Sequence, residues 1–146
     1  MKLFTRTWTF GQEDAVKERP QENEVSAAVI DSAFKVHTTL GPGLLESVYA
    51  GVMAHELRRR GRLVATQVPI AIRYENLSFD IGFRADMVVD DLVIVELKSV
   101  ENLLPVHKKQ ALTYVRLSGK RLGLLLNFGA PLIRDGIVRL DAGLPD

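Results

Sequence analysis

Two short apolar segments, residues 83–89 and 93–98, lie three residues apart in this sequence and constrain its fold more than any other feature. The side chains of a β-strand alternate between its two faces, which predicts that Glu96 and Lys98 share one face of the second segment. Its remaining apolar residues then take the opposite face: Val93, Val95 and Leu97. The pattern therefore predicts a β-hairpin whose charged residues are sorted onto one side.

The first segment sets the register of this hairpin. Its predicted apolar row comprises Phe83, Ala85, Met87 and Val89. For both apolar rows to pack against one core, the connection must contain an odd number of residues, most simply Asp90 to Leu92. That register places Asp86 opposite Glu96. Arg84 and Val88 lie on the same face of the strand as Asp86.

Two interpretations of this pair of acids follow from the residues alone. Neighbouring carboxylates repel each other unless a cation lies between them, and oxygen ligands suit magnesium or manganese. An ordinary solvated hairpin face explains the same charges without a metal. The nearly continuous apolar character of residues 92–97 favours the metal site, because it is typical of a strand covered on both faces, where an unpaired charge is costly to bury.

Length and composition limit the remaining possibilities. The chain has 146 residues, which predicts one domain over residues 21–146 with residues 1–20 as a loosely ordered extension. Its net charge of +1 gives no strong overall attraction to a polyanion, so contacts with nucleic acid would come from local basic clusters at 58–62, 108–116 and 120–121. The absence of cysteine fits the cytoplasm, and no apolar stretch approaches the roughly 18 residues of a membrane helix.

Hydrophobic periodicity predicts the order of the elements. Two helices, over 22–40 and 44–60, precede extended segments that begin at residue 63 and lead into the hairpin. A third helix runs from Pro105 to Gly119, and the apolar run 122–128 reads as a central strand, followed by an edge strand at 137–140. The inward residues predicted for the second helix are Leu45, Val48, Val52, Met53 and Leu57.

Four short motifs occur along this order of elements: Gly43-Leu44-Leu45-Glu46-Ser47-Val48-Tyr49, Arg84-Ala85-Asp86, Glu96-Leu97-Lys98 and Leu126-Asn127-Phe128-Gly129. Together they resemble the GxxExxY family, which is placed in the PD-(D/E)XK nuclease superfamily. The resemblance covers about residues 22–140. It implies an α+β fold, an α/β sandwich with a restriction-endonuclease-like core in which helices flank a mixed, mainly antiparallel sheet.

The resemblance also implies the roles of individual residues. Magnesium or manganese ligands would be Glu46, Asp86, Glu96 and the Leu97 main-chain carbonyl, and Lys98 would act beside them. Gln110 and Tyr114 resemble a substrate-binding Gln-x-x-x-Tyr pattern of related exonucleases. One departure is Ala85, because proline is common at that position in the superfamily.

Simpler roles stay open for several of these residues. Glu46 lies in the first turn of its helix, where the helix dipole stabilises a carboxylate without any metal. Tyr114 fits a core tyrosine equally well, with Gln110 as a surface amide. Tyr49, one turn after Glu46, is predicted either to orient that carboxylate or to belong to the core.

The function implied by the resemblance is a divalent-metal-dependent nuclease that hydrolyses DNA with little intrinsic sequence specificity and acts alone, as a homodimer or with a partner. The catalytic set would be Glu46, Asp86, Glu96 and Lys98. The alternatives are a nuclease-fold module that binds nucleic acid or assembles without cutting, and hydrolysis of another phosphoester by the same residues. The fold itself does not separate these functions.

Overall fold

The computed structural model describes residues 20–143, so most of the predicted N-terminal extension lies outside the described residues. The helices are α1 (Pro20–Leu40), α2 (Glu46–Arg59) and α3 (Pro105–Ser118). The strands are β1 (Val64–Tyr74), β2 (Leu77–Val89), β3 (Val93–Lys98), β4 (Leu122–Asn127) and β5 (Ile137–Asp141), with a short 3-10 helix at Ile133–Gly136. The predicted order of elements is confirmed.

The five strands form one sheet in the order β1-β2-β3-β4-β5. The first three strands are antiparallel, β4 is parallel to β3, and β5 returns antiparallel to β4. The parallel pair is connected through α3, as a crossover connection requires. The structure therefore has the predicted mixed, mainly antiparallel sheet flanked by helices, an α+β fold consistent with a restriction-endonuclease-like core.

Each face of the sheet carries its own apolar core. Helices α1 and α2 cover the face that carries Val93, Val95 and Leu97 of β3. Helix α3 covers the other face, to which Ile94 belongs. The alternation predicted for β3 is confirmed, and so is its cover on both faces.

The turn between β2 and β3 has the predicted three residues, Asp90 to Leu92. Asp90 and Asp91 both have positive φ values, 53° and 56°, and the Leu92 N–H donates to the Val89 carbonyl at 3.0 Å. Asp tolerates this left-handed backbone better than most residues, which explains why an Asp-Asp pair serves here.

The predicted apolar row of β2 is wrong in one respect, because the row changes face partway along the strand. Met87 and Val89 belong to the core under α1 and α2, whereas Ala85 packs in the core under α3, with Phe83 against it. Strand β1 makes the same change, since Val64 packs on the first core and Val68 on the second. Strict alternation would keep each of these rows on one face.

The buried stripe of α2 also differs from the prediction. Tyr49, Met53 and Leu57 are fully buried, spaced four residues apart. Leu45 is 73% exposed and Val48 is 41% exposed, so these two predicted inward residues are wrong. Leu45 is exposed because it precedes the helix as its N-cap with an extended backbone, and Val48 lies beside the buried stripe and not in it.

Candidate active site

Strands β2 and β3 separate at Asp86. Their regular pairing ends with Met87 opposite Val95, and the next position along the same register joins Asp86 to Glu96. There the Asp86 N–H donates to Glu96 Oε2 at 3.0 Å, and the Leu97 N–H donates to Asp86 Oδ2 at 2.8 Å. Each carboxylate thus accepts a main-chain N–H of the facing strand, which holds both acids at the opening, in the predicted register.

The environment of Glu96 favours its protonated form. The residue is 9% exposed. Burial first, and the neighbouring Asp86 carboxylate second, raise the pKa of Glu96 from 4.5 to about 8. The N–H of Asp86 and the charge of Lys98 act in the opposite direction without cancelling this rise. A bound cation would remove the repulsion, so the donor chemistry of this pair fits a divalent metal.

Glu46 reaches the same region from the start of α2. It is the first residue of the helix, and its Oε2 lies 3.4 Å from the Ser99 N–H, just beyond the end of β3. A cavity of about 280 Å³ opens between these elements, and its walls are Glu46, Ser47, Ala50, Gln67, Asp86 and Leu97. Glu46 is therefore aimed toward the sheet and shares a cavity with Asp86.

The three predicted acids meet as two overlapping pairs. Asp86 is bonded to Glu96 on one side and faces Glu46 across the cavity on the other, whereas Glu96 does not line that cavity. Within residues 20–143, no group of three His, Asp or Glu side chains is arranged closely enough to hold a metal ion. Asp86 is the residue that joins the two pairs.

Tyr49 supports the loop that leads into Glu46. Its hydroxyl donates to the Gly41 carbonyl and accepts the Leu44 N–H at 3.2 Å. Ser99 Oγ donates to the Leu44 carbonyl at 2.6 Å and so ties the same loop to the end of β3. Of the two roles predicted for Tyr49, the core role is the observed one, because the hydroxyl bonds the loop and not the carboxylate.

The motif Leu126-Asn127-Phe128-Gly129 holds the end of β3 in place. Asn127 is 2% exposed; its Oδ1 accepts the Val100 and Gly129 N–H groups and its Nδ2 donates to the Val100 carbonyl, all at 2.9 to 3.0 Å. The Phe128 N–H donates to the Lys98 carbonyl at 2.8 Å. Sequence reasoning assigned no role to Asn127; the available signal was a polar residue at the end of an apolar run.

Gln110 and Tyr114 lie on α3, away from the cavity that holds Asp86. Tyr114 is half-buried and stacks on Phe83 with ring centroids 4.0 Å apart, and Gln110 is exposed. Neither residue lines the cavity. His107 Nδ1 accepts the Leu104 N–H at 3.0 Å and so caps the start of the same helix.

The basic clusters differ in how far their charges are already paired. Lys35, Arg59 and Arg60 all bind the buried Glu56, at 3.3, 2.9 and 2.9 Å, and these cations, the arginines first, lower the pKa of Glu56 to about 2. Arg62 pairs with Asp90 and Lys120 with Asp91. Three exposed cations of α3 have no ion pair within the described part of the chain: Lys108, Lys109 and Arg116.

Comparison with known proteins adds a family match. The sequence model of the PD-(D/E)XK nuclease superfamily matches residues 23–140, which contain every candidate site residue. No curated protein matches the sequence.

A solved structure titled "Crystal structure of SSO0001" is similar at 18% identity with a TM-score of 0.48, over 90% of this chain. The match covers 64% of that structure, so this chain spans less than two thirds of its length.

Among residues 20–143, no helix is both long and apolar enough to cross a membrane.

Proposed function

Because this chain belongs to the PD-(D/E)XK nuclease superfamily, we propose that it is a divalent-metal-dependent nuclease that hydrolyses phosphodiester bonds of DNA. Within the superfamily, we assign it to the GxxExxY group on its Gly43, Glu46 and Tyr49. One observation supports catalysis most directly: across the opening between β2 and β3, Glu96 accepts the Asp86 N–H and Asp86 accepts the Leu97 N–H, beside a cavity that Asp86 and Glu46 line.

The proposed ligands of magnesium or manganese are Glu46, Asp86, Glu96 and the Leu97 main-chain carbonyl. A bound divalent ion supplies Lewis-acid polarisation of the phosphodiester and a water of lowered pKa. The protein's part is to hold the two carboxylates of Asp86 and Glu96 at fixed positions through main-chain N–H groups, so that little rearrangement is needed on binding. Their mutual repulsion is the source of the affinity for a cation.

Lys98 is the proposed catalytic cation. It follows Glu96 by two residues on the same face of β3, is half-buried, and has its carbonyl fixed by the Phe128 N–H. An ammonium group at this place stabilises negative charge that develops on the phosphate and orients the attacking water. The charge of Lys98 already acts on Glu96, whose pKa it lowers.

Contacts with the rest of the nucleic acid are proposed for α3. Lys108, Lys109 and Arg116 offer unpaired positive charge, and Gln110 and Tyr114 offer hydrogen-bonding groups on the same helix. Such contacts read the phosphate backbone without selecting a sequence. The enzyme should therefore recognise ends, strands or branched structures of DNA, alone, as a homodimer or with a partner, and we place it in the cytoplasm.

A module that binds nucleic acid without cutting it is the second candidate. The arrangement of the acids favours this candidate. Glu96 lies outside the cavity that Glu46 and Asp86 line, and residues 20–143 contain no group of three acids or histidines that could hold a metal ion. In such a module, Asp86 and Glu96 would only accept main-chain N–H groups where β2 and β3 separate.

Metal binding and cleavage separate the two candidates. Titration calorimetry of magnesium and manganese should give a binding isotherm for wild type, and none for Asp86→Ala or Glu96→Ala. Cleavage of single-stranded, duplex and branched DNA should depend on the metal and be lost in Lys98→Ala, which keeps both acids. Metal binding without any cleavage would support the binding module, and full activity in Lys98→Ala would point to a contaminating nuclease.

A further inference from the structure

We propose that Gln67, a residue of β1 outside every motif noted in the sequence, binds a phosphate oxygen of the substrate; this rests on the proposed nuclease function. Gln67 lines the cavity of about 280 Å³ together with Glu46 and Asp86. Strand β1 thus supplies this wall of the cavity from outside the hairpin that carries the acids. The proposal adds a fourth element of the fold to the site.

The backbone at Gln67 has an uncommon conformation. Its φ is +51°, in the left-handed region that residues other than glycine rarely adopt. The pairing of β1 with β2 joins Thr66 to Met87 and Val68 to Ala85, and it skips the pair between them, Gln67 and Asp86. Backbone strain of this kind clusters at active sites and ligand clamps, and irregularities of the ladder often re-aim a side chain beside them.

This conformation accounts for the change of face that β1 and β2 share. Val64 packs under α1 and α2, but Val68, four residues later, packs under α3. Gln67 is the residue between them with a positive φ, so the change occurs there and opposite Asp86. The same irregularity that opens the ladder at Asp86 therefore directs Gln67 into the cavity.

The side chain of Gln67 is available for a ligand. The residue is exposed, and within residues 20–143 its amide has no hydrogen-bond partner. A glycine would meet the demands of the backbone with less strain, so the backbone alone does not require glutamine at this position.

The chemistry of a carboxamide suits this place. The cavity is lined by the acids Glu46 and Asp86, with Glu96 next to Asp86 outside it, and these carboxylates repel the phosphates of a nucleic acid. The Gln67 amide offers two N–H donors without a charge, so it can bind a non-bridging phosphate oxygen and does not compete with a metal ion for the acids. A lysine in the same position would neutralise those acids directly.

The test compares Gln67→Gly with Glu75→Gly in the full chain. Glycine removes the Gln67 side chain and accepts the left-handed backbone. Glu75 has nearly the same φ, +54°, in the turn between β1 and β2 and outside the cavity, so its replacement is a matched control. We expect Gln67→Gly to lower kcat/KM for a metal-dependent DNA cleavage by about 10- to 100-fold, the loss typical of one hydrogen bond to a charged group.

Both variants should melt within about 3 °C of wild type, because two effects of glycine offset each other. Glycine relieves the left-handed strain, which stabilises the fold, and it raises the entropy of the unfolded chain, which destabilises the fold. Glu75→Gly should keep wild-type kcat/KM. Gln67→Met, which keeps the length of the side chain, loses its donors and adds no charge, should show the same loss as Gln67→Gly and replaces it if that variant does not fold. Wild-type kcat/KM in Gln67→Gly or Gln67→Met would overturn the proposal.

An inactive wild type would refute the proposed nuclease function, and binding then decides the role of Gln67. Fluorescence anisotropy of a labelled DNA oligonucleotide, with calcium in place of magnesium, should give a Kd about tenfold higher for Gln67→Gly than for wild type or Glu75→Gly. An equal Kd, or no binding by wild type, would overturn the Gln67 contact.

Discussion

Raising the pH should destabilise this fold through one carboxyl group, Glu96. The folded protein raises the pKa of this group from 4.5 to about 8, by burial first and by the Asp86 carboxylate second. Between these two values the folded state binds more protons than the unfolded state, so the free energy of unfolding falls as pH rises. The contribution of Glu96 is complete below about pH 4.5 and is lost as the pH passes about 8.

The magnitude follows from the two pKa values. At pH 6 protonation of Glu96 shifts the folding equilibrium toward the folded state by about a hundredfold, and at pH 9 this factor is close to one. The linkage therefore removes about 3 kcal/mol of stability between pH 6 and pH 9. That loss is a large part of the 5 to 15 kcal/mol typical of a domain.

Urea denaturation with EDTA present, followed by far-UV circular dichroism at pH 6 and pH 9, measures this loss. Glu96→Gln is the matched control, because the amide imitates the protonated acid and does not ionise. Wild type should lose about 3 kcal/mol and Glu96→Gln less than about 1 kcal/mol over this interval. Equal losses in the two proteins would show that Glu96 ionises normally in the fold, and the argument for a cation between the acids would fail.

Three further measurements address the same region. Magnesium binding at pH 7 should release about one proton, because Glu96 must ionise first. Titration calorimetry in two buffers of different ionisation enthalpy detects the released proton, and identical heats in both buffers would contradict its release. Gly129→Ala should lower the free energy of unfolding by about 1 to 3 kcal/mol, because its Cβ would lie 2.2 Å from the Val100 carbonyl oxygen. A wild-type free energy of unfolding for this variant, measured by urea denaturation, would contradict that contact. Tyr49→Phe should cost about 1 to 3 kcal/mol by the same assay, since two main-chain groups of the loop before Glu46 lose their partner; an unchanged midpoint would count against this role.

The parts of the site that could be predicted from the sequence depend on local periodicity. The alternation along β3 sorted Glu96 and Lys98 from the apolar residues, and an odd turn of three residues sufficed to place Asp86 opposite Glu96. Neither step requires knowledge of the rest of the chain.

The parts that could not be predicted depend on the tertiary structure. The change of face in β1 occurs at the left-handed backbone of Gln67, and no propensity signals that conformation there. The exposure of Leu45 follows from the start of α2 at Glu46, which leaves Leu45 as an extended N-cap after a loop that Ser99, distant in sequence, holds in place. The same dependence explains why the cavity, and with it Gln67, was absent from the prediction.

The opening of the ladder and the candidate site are one structural feature. In a regular sheet, the alternation that starts with the Asp90 N–H donating to the Leu63 carbonyl would direct the N–H of Asp86 to the Gln67 carbonyl of β1, and the two facing carboxylates would stand clear of the backbone. Here the N–H groups of Asp86 and Leu97 bind the carboxylates instead, which keeps both acids between the strands. Two N–H groups do not balance two negative charges, as the raised pKa of Glu96 shows. The residues that open the ladder therefore hold both acids at the position where a cation would lie between them.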